Sequence, residues 1–229
     1  MSPCAWRKSS RSVGGVLPQD VQRHDGEGGL VGRGKADLRR GAFLVRLQEA
    51  GAGAVLLDRC EAELGANALI VGDSTQLVYA GNTAFAASVP GGYFNSATGF
   101  GTLGYGLPAA IGAALGSPGR PIVALVGDGG LQFTLAELAS AAEARVPVIM
   151  ILHDNSGYGE IKSYMQSLGI TPLGVDILTP DLAGIAQASG WRTDRVDALD
   201  NLVAKLQTAA GQDQPSLLVI RDLFAQDLA

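Results

Sequence analysis

The stretch from Gly127 to Gly159 constrains the fold most. Just before it, Pro121 to Val126 reads Pro-Ile-Val-Ala-Leu-Val, a short β-branched apolar run that stops at Gly127. Such a run suits a parallel strand buried on both faces. Thr134 to Ala144 is Ala-rich and lacks Gly and Pro, so it favours helix. Pro147 then opens a second apolar run through Leu152. Strand, helix, strand of this kind makes a parallel crossover, which is almost always right-handed. Two polar turns then share one sheet edge: Gly127-Asp128-Gly129-Gly130 and Asp154-Asn155-Ser156-Gly157-Tyr158-Gly159. Open α/β sheets bind ligands at that edge, outside the carboxyl ends of the strands.

The residues in the two turns suit one kind of ligand. Glycines let the backbone approach an anion and aim N–H groups at it. The Asp128 carboxylate and the Asn155 amide oxygen are hard donors, suited to Mg²⁺ or Ca²⁺ and poor for zinc. A divalent ion held there could bridge to phosphate oxygens. A Gly-Asp-Gly turn standing alone is an ordinary βα loop with a capping Asp. The strands on both sides, and Asn155 placed 27 positions on (155 − 128), weigh against that plain reading.

Gly127-Asp128-Gly129 followed by Asn155 resembles the signature of thiamine diphosphate (ThDP)-dependent enzymes, which begins Gly-Asp-Gly and ends Asn-Asn. The resemblance spans about residues 45 to 222 and points to the C-terminal, diphosphate-binding (PP) domain of the acetolactate synthase and 2-oxo acid decarboxylase group. It implies a metal, Mg²⁺, held by Asp128, Asn155 and the carbonyl of Gly157. The sequence departs from the signature at Asp154, where the family has the first Asn; that position is not the metal ligand, but its extra negative charge can alter local hydrogen bonding. Gly127, Gly129, Gly130 and Tyr158 fall in the same cofactor-binding turns. Gly157-Tyr158-Gly159-Glu160-Ile161-Lys162 is most similar to the bacterial 5-guanidino-2-oxopentanoate decarboxylase subgroup.

Two further stretches extend the site. Ala68-Leu69-Ile70-Val71 reads as a buried strand ending in Gly72-Asp73-Ser74-Thr75-Gln76. The plain reading of that turn is a helix cap, since Asp and Ser both cap well; the functional one is a third loop offering donors to an anion. The resemblance places Ser74, Thr75 and Gln76 against the diphosphate. Gly99-Phe100-Gly101-Thr102-Leu103-Gly104 matches Gly-x-Gly-x-x-Gly and invites an NAD-binding Rossmann reading. That fingerprint needs a strand directly before it, and Pro90 to Ser96 does not read as a buried strand. The plain reading is a loop that lets a helix from Leu107 to Leu115 pack closely, with Pro108 in its first turn. The resemblance assigns this stretch to the aminopyrimidine: the Gly101 carbonyl accepts from the 4′-amino group, Thr102 lies between, and Leu103 is the apolar wedge that bends the cofactor.

Composition sets the outer limits. The 229 residues are 47% hydrophobic, enough for one large α/β domain or one domain with an appendage. A net charge of −5 argues against a nucleic-acid surface. The two cysteines form no disulfide framework, which fits a reducing, cytoplasmic setting. His24 and His153 form no ligand pair. No apolar run reaches the length of a membrane span, and no secretory signal follows the basic start.

Residues 1–44 read differently from the rest. They are rich in Arg and Gly without a period of two or 3.6 and are expected to be an irregular, disordered arm. A misassigned start or a frameshift in a GC-rich gene yields such text. Residues 45–229 are expected to form the PP domain, an α/β, doubly wound, mostly parallel sheet with helices on both faces. Phe43 to Leu64 is expected to be a helix broken near Gly51 and Gly53. Glu160 to Met165 reads as a helix, Thr171 to Pro180 as a loop, Asp181 as the cap of a helix ending near Gly190, Leu199 to Ala210 as a helix, and Ser216 to Ile220 as the closing strand.

The resemblance implies decarboxylation of a 2-oxo acid, with protonation or transfer to a second carbonyl afterwards. In the family a Glu that acts on the cofactor sits on a separate pyrimidine-binding domain, so no catalytic acid is named in this chain. It is expected to be a truncated chain, inactive alone, that needs a partner chain or domain carrying that Glu. Full-length relatives are implied to be homo-oligomers. A non-catalytic module for Mg²⁺ and diphosphate is the alternative, with an NAD-binding protein behind it.

Overall fold

The computed structural model describes residues 53–197 and 199–221. The arm expected at residues 1–44 lies outside the described residues, as do Leu44 and Leu47 of the first expected helix. That helix (α1) is described over residues 53–64, where it runs unbroken; the break expected near Gly51 lies outside the described residues.

Six strands make one sheet: β1 Leu69–Gly72, β2 Tyr93–Asn95, β3 Ile122–Gly127, β4 Val148–Asp154, β5 Arg192–Val196 and β6 Ser216–Arg221. Their order is β2-β1-β3-β4-β6-β5, and every pairing is parallel. The remaining helices are α2 Gln76–Ala84, α3 Gly106–Gly116, α4 Asp128–Leu131, α5 Ala136–Glu143, α6 Gly159–Ser167, α7 Leu182–Ala188 and α8 Leu199–Ala210.

Side-chain alternation along the strands builds two cores. Val148, Met150 and Leu152 of β4 pack with Leu107 of α3, Leu138 of α5 and Leu182 of α7. Ile149 and Ile151 face the other way and pack with Leu57 of α1, Leu77 of α2 and Leu202 of α8. Central strands buried on both faces are why Ile122–Val126 and Val148–Leu152 read as continuous apolar runs. Trp191 ties one core together by donating from Nε1 to the Leu138 carbonyl at 2.7 Å.

The chain leaves β1 toward β2 on one side and returns to β3 on the other. The helix after β1 covers one face and the helices after β3 cover the opposite face. The two connections diverge, and a crevice opens between the carboxyl ends of β1 and β3. This is the switch point at which doubly wound sheets take ligands.

Several sequence expectations change in detail. Gly127–Gly130 is not a plain turn: Asp128 opens the short helix α4, with Gly127 as the preceding cap residue and no side-chain cap bond. Thr75, without a side-chain cap bond, precedes α2, so neither Asp73 nor Ser74 caps it. A strand does precede the Gly-x-Gly-x-x-Gly stretch, since β2 pairs with β1. It ends at Asn95, a 3-10 turn at Ser96–Thr98 intervenes, and α3 begins only at Gly106. The glycines therefore do not join strand to helix directly, and the dinucleotide fingerprint still fails on geometry. The edge strand β5 reads Arg-Thr-Asp-Arg-Val, too polar to stand out; charge of this kind keeps an edge from pairing with other chains. Strand β6 lies inside the sheet, between β4 and β5.

Candidate functional site

The crevice holds a cavity of about 220 Å³. Three loops line it: Ser74, Thr75 and Gln76 after β1; Gly127, Asp128, Gly129 and Gly130 after β3; and Asn155, Gly157 and Tyr158 after β4, with Gly101 and Leu103 closing one side. Of the residues expected to bind cofactor, Thr102 alone does not line it. Asp128 is buried and Leu103 half-buried.

The centre of the site is a cluster of oxygens. With Asn155 Nδ2 donating to Gln76 Oε1 at 3.0 Å, the Asn155 Oδ1 atom lies 2.8 Å from the Gly157 carbonyl oxygen and 3.1 Å from Asp128 Oδ1. No hydrogen lies between these three acceptors. Their mutual repulsion is relieved in one of two ways: the amide turns over and donates to both, or a cation sits among them. One carboxylate, one amide oxygen and one carbonyl is a hard donor set that fits Mg²⁺. The residues present therefore fit the metal that the sequence implies.

Each member of the cluster has a local reason for its place. Asp128 Oδ2 accepts from Thr179 Oγ1 at 2.8 Å, which leaves Oδ1 to the cluster. Gly157 forms a bridge with Asp176 and packs so tightly on the strap at 171–180 that a Cβ would stand 2.5 Å from the Val175 carbonyl oxygen. Tyr158 N donates to that carbonyl at 2.8 Å. The turn between them rests on Asp154. Its Oδ1 accepts from Ser156 N at 3.2 Å, and Ser156 holds the left-handed φ of 58°. Its Oδ2 accepts from Arg221 at the end of β6, through Nε at 3.1 Å and through Nη2. The extra charge at the departing position is thus met by an arginine 67 residues away, which the linear text gives no means of finding.

Asp73 organises the opposite wall. It is fully buried, yet both its oxygens are used: Oδ1 accepts from Ser74 N at 2.6 Å and Gly104 N at 3.2 Å, and Oδ2 from Gly106 N at 2.8 Å. Burial pushes its carboxyl above the ordinary value, opposed by those three backbone donors. Gly104, at φ 81° and pressed on Phe133, gives the loop its shape. Ser74 Oγ donates to the Gly101 carbonyl at 2.9 Å, so this hydroxyl and this carbonyl tie two loops together. Asp73, Thr179 and Arg221 are the positioning residues that sequence reasoning missed. Asp73 was legible only as a capping candidate in the turn after β1, and Thr179 only as a polar residue of the 171–180 loop. His153, buried at the end of β4, also lines the cavity. Among the lining residues there is no lysine or arginine.

Fold and cavity define a class: an open, doubly wound α/β domain whose binding crevice sits at the switch point. Comparison with known proteins narrows it. Residues 73–220 match the family described as thiamine pyrophosphate enzyme, C-terminal TPP binding domain. A probable 2-ketoarginine decarboxylase of Pseudomonas aeruginosa is 40% identical over 212 residues, covering 92% of this chain and 37% of that protein. That match reaches into residues 1–44, beyond the span over which the sequence text alone resembles the family. A benzoylformate decarboxylase of the same organism is 33% identical over 155 residues, or 67% of this chain and 29% of the relative. A Rhodococcus jostii structure, a ThDP-dependent 4-hydroxybenzoylformate decarboxylase, superposes with a TM-score of 0.67 at 33% identity, over 76% of this chain and 33% of that one. The chain belongs to the thiamine pyrophosphate enzymes and carries their C-terminal TPP-binding domain. It spans about a third of the length of the relatives it matches.

Proposed function

We propose that this domain holds ThDP through one Mg²⁺ and serves a 2-oxo acid decarboxylase or acetolactate synthase-like enzyme. The observation that supports the metal is the convergence of the Asp128 carboxylate, the end of the Asn155 amide and the Gly157 carbonyl within 3.1 Å of the amide atom. The relatives' own names support the 2-oxo acid class. Bound cofactor supplies the electron sink for decarboxylation. The chain's residues bind and orient. Asp128, Asn155 and Gly157 would hold the metal, with Thr179 fixing Asp128. Gly129 and Gly130 let the loop pack on the Tyr158 ring and on Asp73, where a Cβ would stand 2.7 Å and 3.2 Å away, and Ser74, Thr75 and Gln76 would face the diphosphate from the opposite loop. Leu103 and Tyr158 give the apolar walls that fix the cofactor's rings, where misplacement by about 1 Å can cost on the order of 10²-fold in rate.

A thermal-shift measurement tests the reading. A ligand at about 100 times its Kd stabilises the folded state by about 2.7 kcal/mol, which for a domain of this size raises Tm by roughly 5–10 °C. ThDP with Mg²⁺ is expected to give that rise, and NAD none. EDTA or Asp128→Ala is expected to remove it. A rise that survives Asp128→Ala, or an equal one with NAD, refutes the assignment.

A further inference from the structure

The turn that carries Asn155 and Gly157 hangs from a carboxylate outside the crevice. Asp154 ends β4, is buried, and does not line the crevice. Its Oδ1 accepts from Ser156 N at 3.2 Å and from Ser156 Oγ at 3.4 Å. Its Oδ2 accepts from Nε and Nη2 of Arg221. Strand register sets the two residues side by side, Asp154 on β4 opposite Arg221 on β6. Arg221 also lies outside the crevice, against a separate cavity of about 30 Å³ that shares no residue with it.

The two oxygens of Asp154 do different things. Oδ1 holds Ser156 in the left-handed region, at φ 58°. A residue with a Cβ keeps that conformation only where its surroundings enforce it. The same φ sets the course of the backbone between Asn155 and Gly157, the two members of the oxygen cluster on this loop. Oδ2 is fixed from β6 by a guanidinium that donates to it twice. One carboxylate therefore ties the turn to the sheet. The Asn of the family signature could not do both. Its single oxygen could accept from Ser156 N, but its Nδ2 would then face the Arg221 donors. Asp154 and Arg221 are thus a matched pair: changing one leaves donor against donor, or a buried carboxylate without its cation.

Resting on the Mg²⁺ reading of the oxygen cluster, we propose that Arg221 is a positioning residue for the metal. Through Asp154 it holds the 155–157 turn in the shape that brings the Asn155 amide and the Gly157 carbonyl to Asp128. Charge alone gives the opposite expectation. A guanidinium near the cluster repels a metal, so removing it with the turn unchanged would tighten metal binding, and only weakly, because the side chain is 54% exposed and screened.

Mn²⁺ binding by the 229-residue chain without ThDP, read by electron paramagnetic resonance, separates the two. Arg221→Met is expected to weaken Mn²⁺ binding roughly tenfold, the low end for a residue that orients a metal's ligands. Arg221→Lys, which keeps the charge without the fork, is expected to lose less. In an Asp154→Asn background Arg221→Met is expected to cost nothing or to regain affinity, because it removes one donor from another. Urea unfolding of the same proteins reports stability separately: a purely structural role lowers the midpoint and leaves the Mn²⁺ affinity of the folded chain unchanged. Unchanged or tighter Mn²⁺ binding in Arg221→Met overturns the proposal and leaves the metal reading standing. So does an equal loss in the Asp154→Asn background. Should Arg221→Met not fold, Arg221→Lys carries the same comparison at smaller amplitude. A parent chain that binds no Mn²⁺ overturns the metal reading and this proposal with it.

Discussion

At the scale of single residues, Asn155 is set by its partner across the crevice. With Asn155 Nδ2 on Gln76 Oε1 the Asn155 oxygen faces Asp128 and Gly157; with the amide turned over, its N–H groups donate to both instead. We infer that the hydrogen-bonding character of residue 76 decides which of the two orientations the Asn155 amide takes. Gln76→Glu offers acceptors alone and should keep the oxygen inward. Gln76→Lys offers donors alone and should turn it outward. The second variant is expected to bind Mn²⁺, read by electron paramagnetic resonance, roughly tenfold more weakly than the first, about one charged hydrogen bond. Charge contributes to that gap as well. In an Asn155→Asp background there is no amide to orient, so the gap should shrink to the charge effect. An equal gap in both backgrounds means that Gln76 does not orient the ligand.

At the scale of elements, Asp73 joins the end of β1 to the start of α3 through the Gly104 and Gly106 amides. Burial raises its carboxyl above the ordinary 3.8. The folded state thus holds the proton more firmly than the unfolded chain. Linkage then makes the Asp73 contribution largest below about pH 3.8, shrinking as pH rises through the raised folded value. Asp73→Asn should remove that part of the pH dependence. It should also cost about 1–3 kcal/mol at pH 7, because its amide would set a donor against a backbone N–H. Urea unfolding of both proteins at pH 4 and pH 7 measures the two effects. Parallel stabilities across that range would show that Asp73 does not titrate differently on folding.

At the scale of the whole molecule, one domain carries the cluster proposed to hold the cofactor, and the chain spans 37% of its decarboxylase relative. The family resemblance puts the proton-moving Glu on a different domain. The 229-residue polypeptide purified alone is expected to release no CO₂ from a 2-oxo acid, and a chain bearing a pyrimidine-binding domain is expected to restore release. Turnover by the polypeptide alone would show that the chain supplies its own acid. Among the described residues no helix is long and apolar enough to cross a membrane.

The text of the chain determined what depends on neighbours in sequence. β3 and β4 were legible because strands buried on both faces must be apolar throughout, and the order strand–helix–strand then forces both polar turns to one sheet edge. That is enough to put Asp128 and Asn155 on one edge, while Gly157 was singled out by the resemblance to ThDP enzymes and not by the pattern. β5 and β2 were not legible, since short or polar edge strands bury too little to leave a pattern. Only the tertiary structure could bring Arg221 to Asp154, Thr179 to Asp128 and Gln76 to Asn155, across 67, 51 and 79 residues. Such pairings are fixed by the packing of the sheet and its connections, and a hydrogen bond between distant side chains leaves no periodicity behind.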